Sequence, residues 1–134
     1  MTELDKIISK IIEGRNKLSR LAYNDPRYDR IEEKLHDIED IFLDKFGSRL
    51  ERVIFQVYQK YKIPSEMLSP LAYIAKSYVS QGKNEDETEN YTIASLDVAL
   101  SVDDDTFLVL VPNPTRLLLY KNGKSQEVWN SLKD

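Results

Sequence analysis

Apolar residues recur every three or four positions in the first half of the chain and every second position later on. Leu4, Ile7, Ile8, Ile11, Leu18 and Ala22 follow the helical spacing, behind a Thr2/Asp5 pair that resembles a capping box. They predict a helix over about 3–22. Gly14 weakens it by roughly 1 kcal/mol, and Arg15 interrupts its stripe. Asn24-Asp25-Pro26 reads as a stop and a restart: Asp can cap, and proline's missing N–H would go unpaired in a first turn anyway. Tyr28, Ile31, Leu35, Ile38, Phe42 and Phe46 then predict a second helix, closed by Gly47. Ser48 and Glu51 form a capping box for a third, striped by Leu50, Val53, Ile54, Val57, Tyr58 and Tyr61 and stopped by Ile63-Pro64. Residues 70–80 suit a fourth helix, although Tyr73, Ile74, Tyr78 and Val79 suit a strand equally.

Residues 81–90 contain no aliphatic or aromatic side chain and read as a solvated acidic linker. Beyond them Leu96, Val98, Leu100 and Val102 alternate with polar or small residues, as in a half-buried strand. Asp103-Asp104-Asp105 is a turn, 107–111 a continuous apolar strand, and 117–120 another. Asn122-Gly123 is a strong hairpin signal that returns the chain through 125–129. The expected fold class is α+β: a helical domain of three to four antiparallel helices over 1–80, a linker over 81–90, and a small antiparallel β-meander over 91–134. A meander that small leans on the helices or on another chain.

Charge and composition narrow the function more than they name it. The net charge of −4 is local: residues 1–62 carry +1, 83–105 carry −7 and 106–134 carry +2. No basic footprint predicts nucleic-acid binding. The absence of cysteine removes disulfides, a thiol nucleophile and thiolate metal ligation, and fits a reducing compartment or a hot one where labile residues are avoided. Met1-Thr2-Glu3-Leu4-Asp5 lacks the basic start of a secretory signal, and no stretch is long and apolar enough to span a membrane. A cytoplasmic location is therefore expected.

The four glycines are isolated, so no phosphate loop can form. The single histidine, His36, has no nucleophile or acid in a recognisable motif around it. Asp103–Asp105 fails the calcium-loop pattern, with Leu108 where glycine and Pro114 where glutamate are required. Neither catalysis nor a cofactor or metal is expected. Eight tyrosines and four phenylalanines, most of them on helix seams such as Tyr28, Phe42, Phe46, Tyr58 and Tyr61, suggest more apolar surface than one chain can hide. Tyr28, Ile31, Leu35, Phe42, Val53, Val57, Tyr61 and Trp129 are the candidate protein interface, in a homo- or hetero-oligomer.

Several segments resemble the archaeal GINS family. Arg49-Leu50-Glu51-Arg52-Val53 is similar to that family's R-L-x-K-I segment, and a Pro64-Ser65-Glu66 break precedes the last predicted helix. After the acidic linker, Val109-Leu110-Val111-Pro112-Asn113, Leu117-Leu118-Leu119 and Glu127-Val128 are similar to the ending of its β domain. The resemblance implies a helical domain followed by a small β domain, and a non-enzymatic subunit of the replication complex that joins the MCM helicase to its activating partner. Two other readings stand beside it: an oligomerising interaction module of phage, viral or immunity type, and a small-ligand-binding domain.

Overall fold

A computed structural model describes residues 1–133 and has an α+β architecture, with two helices followed by small antiparallel sheets. Helix α1 spans Glu3–Ser19. Its capping box is present: the Thr2 hydroxyl accepts from the Asp5 N–H at 3.1 Å, and the Asp5 carboxylate accepts from the Thr2 N–H at 3.0 Å. The α1 stripe of Leu4, Ile8, Ile11 and Ile12 is buried.

Helix α2 spans Tyr28–Lys60 without a break, about 50 Å of helix. The stop at Gly47 and restart at Ser48 do not occur, so among the described residues two α-helices stand where three to four were expected. The physical reason is continuity of the buried face. Phe42, Leu50, Ile54 and Val57 fall on one side through the whole segment, and Gly47 is itself buried on it. That burial outweighs the roughly 1 kcal/mol a mid-helix glycine costs. Asp25 does not start the helix at Pro26. Its carboxylate accepts from the Arg27 N–H at 2.8 Å and pairs with the Arg27 guanidinium, and α2 begins at Tyr28.

The fourth helix is likewise replaced. Pro70–Tyr73 makes one 3-10 turn capped by Ser69, and the chain then runs irregularly to strand β1, Val79–Lys83. Tyrosine hydroxyls hold this crosspiece. Tyr58 and Tyr73 share a hydrogen bond of 2.8 Å, and the Leu68 N–H donates to the Tyr73 hydroxyl at 3.2 Å. The Tyr78 hydroxyl accepts from the Ala75 N–H at 2.9 Å and donates to the Leu110 carbonyl. Burial raises the Tyr73 and Tyr78 phenols well above their ordinary value, which keeps both protonated. A buried non-helical segment must satisfy its backbone groups in this way.

The residues expected as a linker are structured. β1 pairs antiparallel with β2, Glu89–Thr92, so 81–90 form most of a hairpin. Side chains tie it to the body where apolar anchors are lacking. The Asn113 amide donates to the Glu89 carbonyl at 2.8 Å, and the Asn84 amide donates to the Asn113 carbonyl at 3.3 Å.

The second sheet is a four-stranded meander ordered β3-β4-β5-β6: Leu100–Asp103, Thr106–Val111, Arg116–Lys121 and Lys124–Asn130. The expected strand over 96–102 is split, because Leu96–Val98 forms a 3-10 turn capped by Ser95. The Asn122-Gly123 hairpin appears as predicted, both residues having the positive φ that a two-residue turn needs. β4 is buried on both faces from Leu108 to Val111, as its unbroken apolar run implies. Core residues of both helices, the crosspiece and β3–β5 belong to a single buried cluster. Among the described residues no helix is long and apolar enough to cross a membrane.

Candidate functional site

The eight residues expected to face another chain divide between core and surface. Leu35, Phe42, Val53 and Val57 lie in the chain's own core. Leu35 packs directly on Gly14, where an added Cβ would sit 2.9 Å from its Cδ1. Tyr28, Ile31, Tyr61 and Trp129 are half-buried. The Tyr61 hydroxyl accepts from the Gln126 amide at 3.3 Å, and the Arg49 guanidinium lies 5.7 Å from the Trp129 ring centroid. The helix-2 and helix-3 seams are thus one seam, closed by α1 and the crosspiece.

Arg15, read from sequence as an interruption of the α1 stripe, is what closes it. Its guanidinium donates to the carbonyls of Leu71, Ile74 and Ala75 and to the Glu39 carboxylate at 2.9 Å. One side chain therefore fastens α1 to α2 and to the crosspiece together. A charged residue at an otherwise apolar helical position was the available signal. Its partners, up to 60 positions away, were not available from spacing.

Three surface features could act on another molecule. The first is a cleft of about 520 Å³ at the start of α1, lined by Thr2, Asp5, Asn84, Asp86, Asn113 and Pro114 among others. Asp5 is 3% exposed. Besides its capping role it accepts from the Thr115 hydroxyl at 2.6 Å and the Asn113 N–H at 3.2 Å. Asn113 has φ of 70° and precedes a cis proline. Its Oδ1 is buried without a hydrogen-bond partner among the described residues.

Burial alone would raise the Asp5 carboxyl, but hydrogen bonds from Thr115, Thr2 and Asn113 outweigh it and hold it below its ordinary value. A folded-state value below the unfolded one contributes stability that is complete above the unfolded value of about 3.9 and is lost as pH falls through the folded value. Asp5→Ala should therefore cost about 2–3 kcal/mol at neutral pH, from the lost cap and two long-range hydrogen bonds. The gap to wild type should narrow as urea titrations are repeated below about pH 4. A gap independent of pH would show that the carboxylate charge contributes nothing.

The second feature is a groove of about 260 Å³ between α1 and α2. Ile7, Ile38, Ile41 and Phe46 line it, with Lys6, Lys10 and Lys45 against a single acid, Glu3. The third is the outer face of α2, where Ile41 and Phe55 are 47% and 53% exposed. Among the described residues no cluster of three or more His, Cys, Asp or Glu could hold a metal ion. His36 and Asp103–Asp105 are exposed.

Neither known protein families, nor curated proteins, nor solved structures contain a match to this chain.

Proposed function

We propose that this chain is a non-enzymatic, cytoplasmic protein-interaction module, a scaffold or adaptor that docks a partner on its helical face. The observation that carries this reading is the α1/α2 groove. It combines an apolar lining with a lysine-rich rim, which suits a partner segment presenting apolar side chains between acidic ones. The segments similar to GINS supply the narrower form of the proposal, in which the partner belongs to a replication assembly.

Lysine cross-linking of the full chain in extracts of its native cell tests both forms. Lys6 and Lys10 should link to another protein, and Lys6→Glu with Lys10→Glu should abolish those links. Links to the replicative helicase or its activating partner support the narrower form. The absence of any partner linked to these lysines would overturn the docking reading.

A specific observation favours a second reading, a small polar ligand in the cleft at the start of α1: Asn113 lines that cleft, and its buried Oδ1 has no hydrogen-bond partner among the described residues. Asn113→Gly keeps the positive φ and removes that atom. A hydrogen-bond donor that raises the melting temperature of wild type but not of Asn113→Gly would support this reading. No such compound in a broad metabolite screen would count against it.

A further inference from the structure

The outer face of α2 has a charge order that selects its partner. Ile41, Ser48 and Phe55 are spaced by seven residues, so they form one stripe along the helix and drift only about 20° per repeat. All three are exposed. At about 100° per residue, Asp44 and Glu51 fall some 40–60° to one side of Ser48, and Lys45 and Arg52 fall as far to the other. These four are also exposed, and none has an ion-pair partner among the described residues. The stripe thus has an acidic flank and a basic flank along its length.

We propose that a second copy of this chain binds this stripe, with the two α2 helices parallel about a two-fold axis along them. That symmetry sets each acidic flank against the basic flank of the other copy: Asp44 meets Lys45 and Glu51 meets Arg52. An antiparallel two-fold would set acid against acid and base against base. The small Ser48 lies midway between the two apolar contacts, Ile41 on Ile41 and Phe55 on Phe55, and lets the helices approach. A single helix-on-helix contact is below the roughly 1,200 Å² of a standard interface, so the dimer is reversible and weakened by salt.

The pairing rests on reading the chain as a protein-interaction module; its stripe shares Ile41 and Lys45 with the α1/α2 groove but does not use Lys6 or Lys10. Sedimentation equilibrium of the full chain over about 5–500 µM, a range suited to a small interface, should show monomer and dimer in exchange. Asp44→Lys and Lys45→Asp should each weaken the dimer roughly tenfold, since each turns two attractions into repulsions. The double variant should recover to within about threefold of wild type. Circular dichroism should show all three variants folded, because both positions are exposed.

The absence of native cysteine makes the register directly readable. Ile41→Cys, Ser48→Cys and Phe55→Cys should each close an intermolecular disulfide under mild oxidation. Cross-linking at position 48 alone would mean an antiparallel pair and overturn the proposal. A monomer throughout the concentration range would also overturn it, as would a double variant that fails to recover. If self-association fails while the links through Lys6 and Lys10 persist, only this pairing is wrong. If the dimer forms without those links, only the groove reading is.

Discussion

Phe42→Asp should leave the chain unfolded, not folded and monomeric. Phe42 is fully buried within the common core, its ring 6.5 Å from that of Phe46. Removing a buried phenylalanine costs about 3–5 kcal/mol. Placing an unpaired carboxylate there adds several more. Together these consume most or all of the roughly 5–15 kcal/mol that stabilises a domain of this kind. Far-UV circular dichroism at neutral pH should show loss of helix, while Phe42→Leu should retain it. A folded Phe42→Asp monomer would mean that the α2 seam faces another chain and that the core has been wrongly assigned.

Arg15→Ala should cost about 3 kcal/mol or more in urea unfolding. The substitution strips donors from three carbonyls and from the Glu39 carboxylate, and Ile74 and Ala75 are each only 2% exposed. Each buried acceptor left unpaired costs about 1–3 kcal/mol, which applies to the Ile74 and Ala75 carbonyls, because the Leu71 carbonyl keeps its bond from the Ile74 N–H at 3.2 Å. Arg15→Lys can reach only some of these acceptors and should lose about half as much. Glu39→Gln keeps an acceptor for the guanidinium and should lose about 1 kcal/mol. A loss below about 1 kcal/mol for Arg15→Ala would show that apolar packing alone holds the crosspiece.

The sequence was most readable where a local pattern and the buried face agree. The Thr2–Asp5 cap, the α1 stripe from Leu4 to Ile11, the unbroken apolar run of β4 and the Asn122-Gly123 hairpin are all local signals, and each forms as expected, although α1 ends at Ser19 and leaves the expected Ala22 exposed beyond it. It was least readable where local signals compete with distant packing. Gly47 and the Ser48/Glu51 box are a plausible helix boundary, but the same residues are tolerated inside a helix whose buried side continues past them. Residues 81–90 have no aliphatic or aromatic side chain to anchor them, yet they pair as a hairpin held by polar contacts from Asn84 and Asn113. The expected interface residues were chosen by apolarity alone. Apolarity cannot separate Phe42, which faces inward, from Ile41, its exposed neighbour, until the helix's buried side is known. The charge order around Ser48 was present in the sequence, but it has meaning only once α2 is one continuous helix.

The hydrogen bond from Thr115 to Asp5 spans 110 positions, and it sets when the chain can fold during synthesis. Leu4, Ile8, Ile11 and Ile12 emerge from the ribosome well before Leu108, Leu110 and Leu117 of the same buried cluster. Until the meander is complete, a growing chain can pair its two helices but cannot cover their inner side. A nascent polypeptide that has not yet made the meander therefore leaves that apolar surface uncovered, the condition in which exposed hydrophobic surface favours aggregation and chaperone binding in general.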